Sequence, residues 1–171
     1  QAIATVKNEI YNALGGTTVS MLPFGGDLAF KTSSNTTEDQ TQTDTGGDAM
    51  TLNASAAGTT DVLAQSFDPT VTNIDEVEIY VGAKNGTGSS LDIEIRESKN
   101  SSREPDMATA ALATCSIAAG SVTAAAFNSC TFADTAIDAS KNYFIIVYSA
   151  NGDSTNNITI ETRQVAGTDY A

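Results

Sequence analysis

The sequence predicts an all-β protein, an antiparallel β-sandwich preceded by a short N-terminal helix and an extended polar arm. Three observations carry this expectation. Between residues 61 and 165, seven runs of β-prone residues follow one another closely. In the clearest run, Leu91–Glu97, Leu91, Ile93 and Ile95 alternate with Asp92, Glu94 and Arg96, the period of a half-solvated antiparallel strand. Clusters of Gly, Asn, Asp and Pro separate the runs, with no helical repeat between them, as in a sandwich.

Taken in order, residues 2–14 place Ile3, Val6, Ile10 and Leu14 at spacings of three and four, with Tyr11 beside them, and Gly15-Gly16 follows as a stop. A helix this short needs a packing partner. That partner is either the chain's own body or a neighbouring subunit. Residues 17–60 carry two similar phrases, FGGDLAF at 24–30 and TGGDAMT at 45–51, each reading as a turn between short β-prone pieces. Between them, residues 31–44 are almost purely polar and hold too little apolar surface for a core of their own. Residues 1–60 therefore read as helix plus assembly arm, and residues 61–171 as the domain. Its expected strands are Val62–Phe67, 76–81, Leu91–Glu97, 111–117, 126–132, Tyr143–Tyr148 and 158–164. The run YFIIVY at Tyr143–Tyr148 is apolar on both faces, which places it centrally.

The succession AQSFDP (64–69), IDEVEIYV (74–81), LDIEIRE (91–97), a loop with Pro105, LATCSIAAGSV (112–122), FNSCTFAD (127–134) and KNYFIIVYS (141–149) resembles a family of jelly-roll modules. These modules recur in structural proteins of bacteriophages and archaeal viruses and in secreted bacterial surface proteins. The resemblance covers about residues 61–165 and implies a jelly-roll-like β-sandwich. Its motifs are core and turn positions, which specify fold more than function. The aromatic that the family often carries before the TF strand, commonly Trp, is Phe127 here.

Composition narrows the chemistry. Twenty-one acids against eight bases give a formal charge of −13, which opposes binding to nucleic acid or to anionic membrane surfaces. No run approaches the roughly 20 apolar residues of a membrane-spanning helix. Residues 1–14 lack the basic end and apolar block of a signal peptide. The chain contains no His and no Trp, which excludes His-based triads, Cys–His dyads and His-ligated zinc. Phosphate-binding glycine loops are absent as well. The expectation is a protein that is not an enzyme; a carboxylate-only glycosidase is the remaining catalytic class.

Candidate sites follow from residue type and place. Cys115 and Cys130, the two cysteines, fall on inward-facing positions of neighbouring strands. They form either a disulfide, implying an oxidising location, or two buried thiols. N-x-[ST] sequons occur at Asn35, Asn53, Asn85, Asn100 and Asn157; they are glycan acceptors or chance products of a chain rich in Asn, Ser and Thr. Asn151 and Asp153 with Asn156, and Asp68 with Asp75, are either turn residues or oxygen ligands for Ca²⁺. Glu76, Glu78, Asp92 and Glu94 are placed to meet Arg96 across strands. Tyr80 is a candidate platform for a sugar ring. The leading functional expectation is a structural subunit or surface module of a virion (head decoration, spike or fibre) or of an extracellular filament. It would pair with copies of itself or with other structural subunits through the N-terminal arm. The alternative is a carbohydrate- or receptor-binding module.

Overall fold

The computed structural model describes residues 26–34, 37–43, 45, 49–52, 61–99 and 104–164. The expected helix, with Ile3, Val6, Ile10, Tyr11 and Leu14, lies outside them. Eleven strands follow in order: β1 (Gly26–Leu28), β2 (Phe30–Ser34), β3 (Thr37–Gln42), β4 (Ala49–Leu52), β5 (Val62–Phe67), β6 (Asn73–Asn85), β7 (Leu91–Glu97), β8 (Ala113–Ile117), β9 (Ala126–Ala136), β10 (Tyr143–Tyr148) and β11 (Asn157–Gln164). They build two antiparallel sheets packed as a sandwich, so the predicted fold class holds. One sheet has the order β5-β10-β7-β8; the other runs β1-β11-β6-β2-β3, with β4 added on β11 and β9 on β6.

The strands expected between 61 and 165 all form. β10 lies between β5 and β7, and its two apolar faces explain that position. Tyr143, Ile145 and Val147 join the main core, while Phe144 and Ile146 join Val62 in a second cluster. Against the first face, β6 turns Val77, Ile79 and Val81 inward and β11 turns Ile158 and Ile160 inward. Full burial of each such aliphatic side chain stabilises the fold by about 1.5–3 kcal/mol. A row of rings runs through the core, with Phe30–Phe67 centroids 6.4 Å apart and Phe67–Tyr143 centroids 5.9 Å apart.

The reading of residues 17–60 as a polar arm needs correction, because the described part of that segment is built into the sandwich. β1 pairs with the end of β11, and β2 pairs with β6 opposite Ile79 to Glu76. Ala29 stands at the crossing: its N–H donates to the Glu161 carbonyl (3.4 Å), and its carbonyl accepts from Tyr80 N–H (3.0 Å). Leu28, Phe30 and Thr32 all point into the core. The alternation is there in the sequence, but a buried threonine stands at one inward position, so the run reads as polar. β6 and β11 supply the backbone partners that an isolated peptide would lack. β4 adds Leu52 to the core and pairs with β11. The boundary at residue 60 therefore separates nothing among these strands.

Cys115 and Cys130 form a disulfide with Cα atoms 6.0 Å apart. Cys115 sits on β8 of the four-stranded sheet and Cys130 on β9 of the larger one, so the bond staples the two sheets at neighbouring edge strands. The cysteines are 15 residues apart in sequence, and closing a loop of that size contributes about 3 kcal/mol in the chain-entropy model. The double variant C115A/C130A is expected to melt about 6–12 °C lower while keeping its far-UV spectrum; an unchanged melting temperature would show that the staple contributes nothing to stability.

Candidate functional site

Three polar surfaces collect the side chains singled out above. The first is the outer face of the larger sheet. Alternation along β6 turns Glu76, Glu78 and Tyr80 outward, and the antiparallel register sets Phe127 of β9 opposite Tyr80 and Lys31 of β2 opposite Glu78. The Tyr80 and Phe127 rings meet edge to face with centroids 5.2 Å apart, and Lys31 Nζ lies 4.7 Å from the Phe127 centroid. Lys31 also pairs with Glu78 (3.0 Å) and Glu38 (3.8 Å). The hydrogen bond to Glu78 raises the lysine's pKa, with Glu38 and Glu76 adding to the effect. The Ser129 hydroxyl donates to the Glu76 carboxylate. Tyr80 and Phe127 are both half-buried. In this solvent-facing setting the ion pair and the cation–π contact each contribute up to about 1 kcal/mol.

The second is the polar part of the outer face of the smaller sheet, beside the buried cluster of Val62, Phe144 and Ile146. Asp92 accepts from the hydroxyls of Ser90 (2.6 Å) and Ser116 (2.5 Å) and from Ala150 N–H (2.9 Å). Glu94 accepts from Arg96 Nε (2.7 Å) and from the Tyr148 hydroxyl (3.3 Å). Arg96 in turn donates to the carbonyls of Asp106 and Thr109, pinning the loop that enters β8. Of the four acids expected to meet Arg96, Glu94 does so; Glu76 and Glu78 belong to the other sheet and are served by Ser129 and Lys31. Side-chain alternation shows which face of its own strand an acid occupies, but not which sheet the strand joins.

The third surface is the end of the sandwich where the β6–β7 and β10–β11 loops meet. Asn151 Oδ1 accepts from Ser90 N–H (2.7 Å) and from its hydroxyl (3.0 Å), and Asn156 Oδ1 accepts from Thr87 N–H and its hydroxyl. Asp153 Oδ1 accepts from the backbone N–H groups of Thr155 (2.7 Å) and Asn156 (2.6 Å), and those two bonds, Asn156's first, lower its pKa. Of the candidate calcium ligands, Asn151 ties the two loops together, while Asp153 closes a turn within the β10–β11 loop. Asp68 accepts from the Asn142 amide. Among the described residues, no group of three or more Cys, Asp or Glu is arranged to hold a metal ion.

The sequons divide by exposure. Asn85 is exposed, with its amide donating to Asn157 Oδ1. Asn157 is 5% exposed and donates to the Asp153 carbonyl, so in the folded protein its sequon is closed to a glycosyl transferase. Asn35, Asn53 and Asn100 lie outside the described residues. Sequence reasoning missed Lys31, which stood in the segment read as an arm. It also missed the serines around Asp92, since only the register of β7 with β8 brings Ser116 across.

Comparison of the chain with protein-family models, with curated proteins and with solved structures finds no match in any of the three.

Tyr148 offers a titration test of the second surface. Burial, with the Glu94 and Asp92 carboxylates, pushes its hydroxyl up to about 12. The folded pKa lies above the ordinary value near 10, so the stabilisation from the neutral phenol is complete below pH 10 and is lost between pH 10 and 12. Absorbance titration of phenolate is expected to show a late step near pH 12 that Y148F removes; a wild-type titration complete by pH 11 would contradict the buried arrangement.

Proposed function

We propose that the chain is a non-enzymatic structural subunit or surface module of a virion (head decoration, spike or fibre) or of an extracellular filament, and that its sandwich is a jelly roll. The observation that carries this reading is the strand order. Setting β1–β3 aside, β4-β11-β6-β9 faces β5-β10-β7-β8, the order of eight strands wound as two Greek keys. Jelly rolls of this kind serve as capsid and lectin domains. The disulfide favours an oxidising location, and the acids on both outer faces are tied up in ion pairs and hydrogen bonds that stiffen the sheets. Assembly falls to residues 1–25, whose stripe of Ile3, Val6, Ile10, Tyr11 and Leu14 is suited to packing on another subunit, because strands β1 to β4 are committed to their own sheet. Light scattering on the full chain and on a chain starting at Gly26 tests this. The full chain is expected to form large assemblies and the trimmed chain to be monomeric; two monomers would defeat the reading. Trimming must stop there, since starting at Thr60 would remove four strands.

A second reading, carbohydrate or receptor binding, draws on one observation: Tyr80 and Phe127 lie side by side and half-exposed, with Lys31, Glu78 and Glu38 around them. Tyr143, by contrast, is buried in the core. On an immobilised glycan panel, Y80A is expected to bind about tenfold more weakly than the wild type, equivalent to about 1.4 kcal/mol; a wild type that retains no glycan would end this reading.

A further inference from the structure

We propose that the loop end of the sandwich holds a buried water molecule, bound by Ser89, Ser149 and the carbonyl of Leu52. Ser89 is 1% exposed and Ser149 is 0% exposed, and neither hydroxyl has a hydrogen-bond partner among the described residues. Every other hydroxyl discussed in these loops is paired: Ser90 with Asp92 and Asn151, Thr87 with Asn156. Two orphan hydroxyls so close together call for an occupant, because buried polar groups in native proteins find partners in protein or in ordered water.

Both lie beside Gly152. A Cβ built on Gly152 would stand 2.9 Å from Leu52 O, 3.3 Å from Ser149 Oγ and 3.3 Å from Ser89 Oγ. Three oxygens from three separate elements, the end of β4 and the two loops, thus crowd the same side of Gly152, close enough to one another for a single small molecule beside the glycine to reach them. Gly152 does not have the positive φ found at Gly86 and Gly88. Crowding by these oxygens, and not backbone conformation, is what requires a glycine there. The three groups are neutral: two hydroxyls that can donate or accept, and one carbonyl that accepts. That set matches a water, which binds best with two to four partners. Such a water would tie both loops to β4, completing the network that Asn151 and Asn156 begin.

The test uses the full chain. S89A and S149A are each expected to lower the melting temperature by about 2–4 °C, the size of one lost buried hydrogen bond in a chain of this length. A rise in either variant would overturn the proposal, because removing an unsolvated hydroxyl relieves a penalty. Independently, the wild type should show a long-lived water cross-peak to the Gly152 amide proton in NMR, and the S89A/S149A double variant should lose it; no such peak in the wild type would also overturn it. Replacing sodium chloride with choline chloride at equal ionic strength is expected to leave the melting temperature unchanged; a sodium-specific increase would show that a monovalent cation, and not water, takes the three oxygens.

Discussion

The backbone of β6 is hydrogen-bonded along both edges, to β9 on one side and on the other to β2 and then to β11. Thirteen residues long, it is the strand to which the larger sheet is registered. Its inward residues, Ile74, Val77, Ile79 and Val81, meet the smaller sheet across the core. A slip of one residue would drive Glu76, Glu78 and Tyr80 into that core and turn the aliphatics outward. The cost of burying two unpaired carboxylates makes the alternation of β6 a constraint on everything paired with it.

That constraint also shapes the surfaces. Because Glu78 must face out, its neighbours on β2 and β9 face out with it, and Lys31, Phe127 and Tyr80 become one cluster. On the smaller sheet β10 plays the matching part. It carries Ile145 and Val147 into the core and Phe144 and Ile146 to the opposite face, where Ala64, Met107 and Tyr148 pack on them. The disulfide then joins β8 to β9, closing the edge at which the two sheets are otherwise held by packing. The result is a body in which acids such as Glu76, Asp92 and Glu94 accept hydrogen bonds from neighbouring side chains, which suits the proposed structural role.

Much of this was legible in the residues. The strands of 61–165 announced themselves through alternation at Leu91–Glu97 and through the unbroken apolar run of Tyr143–Tyr148. The inward placement of Cys115 and Cys130 left a disulfide as one of two outcomes, and the distance between β8 and β9 selected it. The turn character of Asn151 and Asp153 was also among the readings offered. Tyr80 was singled out as a candidate platform, but its neighbours were not visible, since Phe127 and Lys31 are distant in sequence and come near it only by register.

Alternation, turn chemistry and cysteine placement are local properties, and from them the sequence by itself determined that this is a β-sandwich with a central two-faced strand. What only the tertiary structure decided is which strands share a sheet. That placed Glu76 and Glu78 away from Arg96, threaded residues 26–34 between β6 and β11, and brought Ser89, Ser149 and Leu52 together around Gly152. The physical reason is that a polar run such as β2 has no stability of its own. It becomes a strand when β6 and β11 satisfy its backbone and the core accepts Phe30 and Thr32, and no local pattern encodes the presence of those partners.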